Sequence, residues 1–176
     1  MGKRPARCYT KISGPANTRT KKYVRGIPGS KIVMFDMGSK SKQFSVDVHL
    51  INQEACQIRH MAIEAARQAI NRNLLKRIGR ENYHFRVRAH PHHVLRENKM
   101  MAFAGADRMQ DGMRRSFGKP ADRAARVPAF SELFTVKVEP RHVKTAMMCL
   151  RKGISKLPTP AKIQVGRGLE LVEHQL

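Results

Sequence analysis

The sequence lacks tryptophan entirely, and aromatic residues make up only 6% of its 176 positions. It also lacks any apolar run near the roughly 18 residues that a membrane-spanning helix requires. No basic helix with large aromatic side chains on an apolar face is apparent. The segment MGKRPARCYTK is basic but precedes no apolar stretch, so we expect no secretory signal. These absences argue against a membrane as the partner.

Cysteine is scarce and is not arranged in pairs. Cys8, Cys56 and Cys149 are widely spaced, and none belongs to a Cys-x-x-Cys motif. This usage is typical of reduced thiols in a cytosolic protein, and it does not supply the paired ligands of a structural zinc site. We therefore expect a cytoplasmic protein without a metal or another cofactor.

Acidic residues are also scarce, and this is the most informative feature of the composition. The chain has 13 Asp and Glu against 35 Lys and Arg, which gives a formal net charge of +22. Such an excess exceeds what solubility needs, and its self-repulsion is relieved by a polyanion. Nucleic acid is the expected partner, because Lys and Arg that neutralise phosphates release condensed counterions.

The first 30 residues are expected to form a basic arm, and residues 31–176 a single domain. Residues 1–31 contain nine Lys or Arg, no acid, and several Pro and Gly. Such a segment buries too little apolar surface to order itself, so we expect it to order only on a partner. A solubilising tail is the alternative. The candidate RNA-binding residues of the arm are Arg4, Arg7, Arg19, Lys21, Lys22 and Arg25.

Alternating and helical hydrophobic patterns predict an α+β sandwich with a mixed sheet and two main helices. The predicted strands are KIVMFDMG (31–38), FSVDVHL (44–50), YHFRVRA (83–89), FTVKVE (134–139) and AKIQV (161–165). A long helix is predicted from an Asn52 cap to Gly79, and a shorter one from Pro140 to Gly153. The predicted apolar side of the long helix is Ile58, Met61, Ala62, Ala65, Ala66, Ala69, Ile70 and Leu74, with Gln57, His60, Glu64, Gln68 and Asn71 facing away.

The strand that begins at Tyr83 has one apolar and one cationic face, because successive side chains of a strand alternate. Pro91 then breaks or bends it. Three histidines lie within residues 90–93, but no adjacent carboxylate or thiolate completes a metal site. Contacts with bases and phosphates suit these residues better, and a solvated basic face is the alternative. The candidates are Arg86, Arg88, His90, His92, His93, Arg96 and Lys99.

Residues 105–127 contain four Gly or Pro, five Arg and one Lys, and they predict neither helix nor strand. A long internal loop of this kind is usually functional or disordered. Glycine lets backbone approach another surface, and arginine binds phosphates and stacks on bases. We expect a protruding RNA-binding loop at about 100–127, with passive disorder as the alternative. Its candidate cations include Arg114, Arg115, Lys119, Arg123 and Arg126.

No catalytic signature accompanies these basic segments. The sequence contains no Gly-x-Ser-x-Gly, no His-Glu-x-x-His and no phosphate-binding glycine loop. Asp107, Asp111 and Asp122 could supply acids, but the neighbouring arginines are better explained as their ion-pair partners. We expect a binding protein rather than an enzyme.

Several segments together resemble the archaeal and eukaryotic form of the L-ten-e/L-sixteen family of large-subunit ribosomal proteins. They are RPARCY (4–9), RGIPGSKI (25–32), FDMG (35–38), HVLRENK (93–99), AGADRMQDGM (104–113) and FGKPADRAARV (117–127). These segments occur in the family's order and cover nearly the whole chain. The arm departs from many relatives at residues 14–18, and Phe103 replaces a residue that is usually small.

The resemblance implies an α/β-hammerhead-like fold on large-subunit ribosomal RNA, beside the A-site tRNA and near the five-S RNA. It implies a loop that reaches towards the peptidyl-transferase centre, with Arg96 at its base. Positions matching the loop motif are Gly105, Asp107, Arg108, Gly112, Met113 and Gly118. The implied role is tRNA positioning and subunit maturation, among neighbouring ribosomal proteins. A free RNA chaperone or nonspecific nucleic-acid-binding protein is the alternative.

Overall fold

The structure is a computed structural model, and it describes residues 4–18, 24–99, 114 and 116–172. Two α-helices and eight strands lie in this part of the chain. In chain order they are β1 (Asp36–Gly38), β2 (Val46–Asn52), β3 (Cys56–Arg59), α1 (His60–Arg77), β4 (Tyr83–Val87), β5 (His93–Glu97), β6 (Lys119–Val127), β7 (Glu132–Val138), α2 (Val143–Ile154) and β8 (Ala161–Val165). Short 3-10 turns cover Ala6–Tyr9, Arg80–Asn82 and Pro140–His142.

The larger sheet has five strands in the order β1-β4-β7-β2-β8. Its pairs are antiparallel, and Val48 of β2 lies opposite both Val136 of β7 and Val165 of β8. Alternate residues of β2 are fully buried, which matches the two-residue period of a strand. Phe85 of β4 and Phe134 of β7 place their rings 5.7 Å apart in the core. This face of the sheet is the main apolar surface of the fold.

The two helices pack against each other and over the five-stranded sheet. α1 buries Ile63, Ala66, Ile70 and Leu74, a helical spacing that directs one side inward. At Gly153 of α2, a Cβ atom would overlap the side chain of Ile70. The absence of a side chain there lets the two helices approach closely.

The smaller sheet has three strands in the order β3-β6-β5. β6 is its central strand, and its pairs are again antiparallel: Ala125 lies opposite Ile58, and Ala124 opposite His93. Ile58 and Ala125 join the same buried cluster as the helices and the larger sheet. The smaller sheet is thus anchored by its inner face.

The α+β class with two main helices is confirmed. Instead of one mixed sheet, the described strands form two sheets, and each recorded pairing is antiparallel. The strand AKIQV has the predicted bounds, and the shorter helix follows Pro140 as predicted. The segment KIVMFDMG contributes only its last three residues to β1.

Two element predictions are wrong. The long helix begins at His60 rather than after Asn52, because residues 56–59 pair with β6 as a strand. Residues 119–127, expected within a loop, form β6. Pro120 and the arginines are untypical of a strand, so the sequence does not predict one here. Pairing with strands on both sides satisfies the hydrogen-bonding groups of its backbone. Met61 and Ala65 are exposed, whereas the predicted outward residues Gln57 and His60 are buried.

Candidate nucleic-acid interface

Hydrogen bonds attach the described part of the arm to the folded domain. The backbone N–H of Gln57 donates to the carbonyl of Thr10 at 2.8 Å, and its side-chain amide donates to the carbonyl of Tyr9 at 2.7 Å. Further along, the N–H of Val94 donates to the carbonyl of Asn17 at 3.0 Å. Residues 4–18 therefore lie against the three-stranded sheet, contrary to the expectation that the arm orders only on a partner. The Pro and Gly content of the arm disfavours regular secondary structure within it. Hydrogen bonds from the backbone of β3 and β5 satisfy carbonyls of the arm instead.

Arg126, predicted as a loop cation, fastens the arm to β6. Its guanidinium donates to the carbonyl of Gly14 at 2.6 Å and to the carbonyl of Ser13 at 3.0 Å. Its Nε donates to the side-chain oxygen of Gln57 at 3.2 Å. Hydrogen bonds from a charged donor are stronger than neutral ones, so this side chain stabilises the docked arm.

His93 lies beside this clamp and is 5% exposed. Its Nδ1 accepts the backbone N–H of Asn17 at 2.9 Å, so Nδ1 carries no proton. Burial is the main cause that lowers the pKa of His93 to about 4, and the nearby Arg126, His92 and Arg96 contribute to the same shift. His93 is therefore a neutral structural acceptor, not a cationic ligand for phosphate.

A buried group of charged and polar side chains joins β3, α1 and β6. Arg59 Nη2 lies 2.6 Å from Asp122 Oδ2, and His60 Nε2 contacts Asp122 Oδ1. His60 Nδ1 accepts the N–H of Lys31 at 2.9 Å, so its proton is on Nε2 and faces the carboxylate. Arg59 also donates to the carbonyl of Arg4 at 3.0 Å. The sequence predicted an arginine partner for Asp122 among its neighbours; the partner is instead Arg59 of β3, because a buried carboxylate requires a cation and folding brings this one beside it.

The outer face of β4 is cationic and partly balanced by acids. Arg86 lies 3.6 Å from Asp36, and its side chain remains 59% exposed. Arg88 lies 3.0 Å from Glu132, and its side chain is about half exposed. His90 is exposed, with its ring 5.5 Å from that of Phe35. Exposed ion pairs are weak, so these guanidinium groups can exchange an acid for a phosphate at little energetic cost.

At the end of β5, Arg96 and Phe117 form a stacked pair. The guanidinium carbon of Arg96 lies 3.9 Å from the centroid of the Phe117 ring. Gly118 follows, and a Cβ at this position would lie 2.8 Å from the backbone nitrogen of Glu97. Gly118 thus permits close approach between the strand ends that flank the loop.

The other predicted residues fall into three groups. Arg7, Arg25, Lys99, Arg114 and Lys119 are exposed, and His92 is half-buried with its Nδ1 3.0 Å from the carbonyl of His90. Arg4 lies 3.7 Å from Glu97, and Arg123 donates to the carbonyl of Pro91 at 3.0 Å. The third group lies outside the described residues and consists of Arg19, Lys21, Lys22, Gly105, Asp107, Arg108, Gly112, Met113 and Arg115.

The described residues provide neither a grouped metal site nor a membrane-spanning helix. Within residues 4–18, 24–99, 114 and 116–172, no three His, Cys, Asp or Glu side chains are grouped so as to hold a metal ion. Of the helices in those ranges, neither has the length and apolar character needed to cross a bilayer.

An α+β fold with a large cation excess and an exposed basic strand face defines a protein suited to a polyanionic partner. Residues 12–164 match the family model described as ribosomal protein L16p/L10e. The chain therefore belongs to this ribosomal protein family, in agreement with the resemblance found in the sequence. The match covers β1 to β7, both helices and all but the last residue of β8.

Curated relatives extend the similarity to nearly the full chain, and three of them carry the name large ribosomal subunit protein uL16. The chain is 52% identical to the protein of Staphylothermus marinus, over 93% of each chain. It is 49% identical to that of Methanoculleus marisnigri, over 93% of this chain and 95% of the relative. It is 46% identical to that of Archaeoglobus fulgidus over the whole of both.

Proposed function

We propose that this protein is a structural constituent of the large ribosomal subunit that binds large-subunit ribosomal RNA in the cytoplasm. The observation that carries the proposal is the 46% identity, over the full length of both chains, to a large-subunit protein. The net charge of +22 supports RNA as the partner. The family role is structural, so the chain is a ribosomal component and not an enzyme.

The exposed cations of the described interface are the proposed phosphate contacts. They are Arg7, Arg25, Arg86, Arg88, Lys99, Arg114 and Lys119, with His90 and His92 available for stacking or hydrogen bonding. Arg126, Arg123 and His93 have a different proposed role, because their polar atoms hold the arm and the β5–β6 region together. Arg4 and Arg96 combine both roles, since each pairs within the protein near the surface.

The loop between β5 and β6 is the proposed contact with the tRNA region. Glu97 pairs with Lys119 across these antiparallel strands, so the intervening segment leaves and re-enters the sheet at one edge. This geometry supports a loop that starts and ends at a rigid base, and its direction towards the A-site tRNA and the peptidyl-transferase centre is proposed from the family resemblance alone. Contacts near five-S RNA, with neighbouring ribosomal proteins and during subunit maturation belong to the same proposal. The division into a basic arm (1–30) and a domain (31–176) with this loop remains part of it.

Sedimentation and RNA binding test this function. We expect the tagged full-length chain to co-sediment with large subunits, and the purified chain to prefer large-subunit ribosomal RNA over an unrelated RNA of equal length. Its affinity should fall steeply with salt, by about 0.7 to 0.9 logarithmic units per phosphate contact for each tenfold rise in salt. Equal affinity for both RNAs, without co-sedimentation, would favour a free RNA chaperone.

A variant that lacks two lysines tests whether the base of the loop contacts phosphates. Lys99→Gln combined with Lys119→Gln at the base of the loop should reduce the salt slope by about two, because each lysine is expected to neutralise one phosphate. Lys144→Gln combined with Lys152→Gln, two exposed cations on α2, is the matched control. An equal reduction in both double variants would contradict the interface assignment and indicate a diffuse charge effect.

A further inference from the structure

A cavity of about 440 Å³ opens between the arm and the three-stranded sheet. The arm provides Lys11, Gly14 and Pro15, and the sheet provides the buried Gln57 and His93. The Arg96–Phe117 pair lines another part of the cavity. Small-ligand pockets occupy roughly 300 to 1,000 Å³, so the space is adequate for one nucleotide.

The cavity favours an anion. Its described lining contains Lys11, Arg96 and Arg126 and no Asp or Glu. Arg126 already donates to two arm carbonyls and Arg96 already stacks on Phe117, so the exposed Lys11 is the cation best placed to meet a phosphate. Arg96 adds positive charge to the same lining. Gln57 uses its side-chain amide and oxygen for the arm and Arg126, so the polar floor is formed before any ligand binds.

The cavity also offers a flat apolar surface. Phe117 is 61% exposed although a phenylalanine ring gains free energy from burial. Arg96 stacks on this ring, with its guanidinium carbon 3.9 Å from the centroid. Unpaired RNA bases stack on aromatic rings and on arginine planes. An anionic ligand with a flat ring matches both the charge and the shape.

We propose that this cavity receives one unpaired RNA nucleotide, with its base stacked at Phe117 and its phosphate near Lys11 and Arg96. The inference rests on the proposed function, which supplies RNA as the partner, and adds a specific subsite to it. Because the floor groups of Gln57 are occupied within the protein, stacking and charge dominate over reading of base edges. The arm is part of the site, so docking of the arm is a condition for binding.

A bulged RNA hairpin is a direct probe. Fluorescence anisotropy would compare a labelled hairpin carrying one unpaired adenine with the same hairpin without the bulge. We expect the wild-type chain to bind the bulged hairpin more tightly, by about 5- to 150-fold, the range for one base–aromatic stack. Phe117→Leu should remove most of this preference, and Lys11→Gln should weaken binding of the bulged hairpin more than that of the paired one.

Phe130→Leu is the matched control, because Phe130 is 79% exposed on the turn between β6 and β7, away from the cavity lining. It should retain the preference for the bulge, and thermal unfolding would verify that all variants are folded. An unchanged preference in Phe117→Leu would overturn the subsite. Equal, salt-sensitive binding of both hairpins by the wild-type chain would also overturn it while leaving the proposed function intact. No binding to either hairpin or to ribosomal RNA would overturn both.

Discussion

Arg126 and His93 lie side by side beneath the arm, where Arg126 is charged and His93 is neutral. Arg126 keeps its charge and directs it at the carbonyls of Ser13 and Gly14. His93 accepts the N–H of Asn17 and is neutral in the folded state. A second proton on His93 would sit on Nδ1 against that N–H, and the added positive charge would be repelled by Arg126. The sequence predicted both residues as RNA contacts, and their surroundings in the fold give them different roles.

The titration of His93 predicts how stability depends on pH. The folded pKa is about 4 and the ordinary value is 6.5, so between these values the unfolded chain binds more protons. His93 therefore penalises folding as the pH falls from about 6.5 towards 4, and the penalty is absent above that window. Each unit of pKa difference corresponds to about 1.4 kcal/mol.

His93→Asn isolates this contribution, because the asparagine oxygen can still accept the Asn17 N–H and does not titrate. Urea unfolding of both proteins at several pH values would measure it. We expect the wild-type chain to lose more stability than the variant between about pH 6.5 and 4. Parallel stability curves would contradict the buried neutral assignment.

At the scale of elements, the turn after β1 depends on a glycine. Gly38 has a φ of +85°, and a Cβ there would overlap the carbonyl oxygen of Tyr83 in β4. That carbonyl accepts the N–H of Ser39 at 2.9 Å, so it cannot move without losing a hydrogen bond. The β1–β4 pair therefore requires both the left-handed backbone and the missing side chain.

Gly38→Ala should lower the free energy of unfolding by about 2 kcal/mol or more, from backbone strain and overpacking together. Gly26→Ala is the control, because no atom lies within 4 Å of its added Cβ and its φ is not positive. Chemical denaturation of the two variants would compare them. Equal stability would mean that the Gly38 turn is not under the described constraint.

At the scale of the whole molecule, the arm and the three-stranded sheet form one unit. Hydrogen bonds to Gln57, Val94 and Arg126 attach the arm at three places that are distant in sequence. The salt bridge between Arg59 and Asp122 supports the same region from within the sheet. Residues 4–18 of the arm are consequently held in place before any partner binds.

Arg126→Met tests this attachment. Loss of the charged hydrogen bonds should increase arm opening, so the initial rate of tryptic cleavage after Lys11 should rise about tenfold. Mass spectrometry would follow that cleavage, and Arg72→Met on the exposed side of α1 is the control. A cleavage rate equal to that of the control would contradict a role for Arg126 in holding the arm.

The sequence predicted those elements whose patterns are local. Alternation identifies the buried residues of β4 and three of those in β7, and helical spacing after Pro140 identifies α2. β3 and β6 are less visible, because their identity as strands depends on pairing between residues about 70 positions apart. The candidate interface divides in the same way. Exposed cations such as Arg86 could be predicted, but the internal roles of Arg126 and His93 could not.

The sequence by itself determined the charge excess, the two helices, most strands of the larger sheet and the resemblance to a ribosomal protein family. These properties follow from composition, short-range periodicity and local motifs. Only the tertiary structure decided that the arm docks on the smaller sheet and which basic side chains are held within the protein. The physical reason is distance along the chain: a cation's role depends on the carbonyls and carboxylates beside it, and folding brings these together from segments that are far apart in sequence.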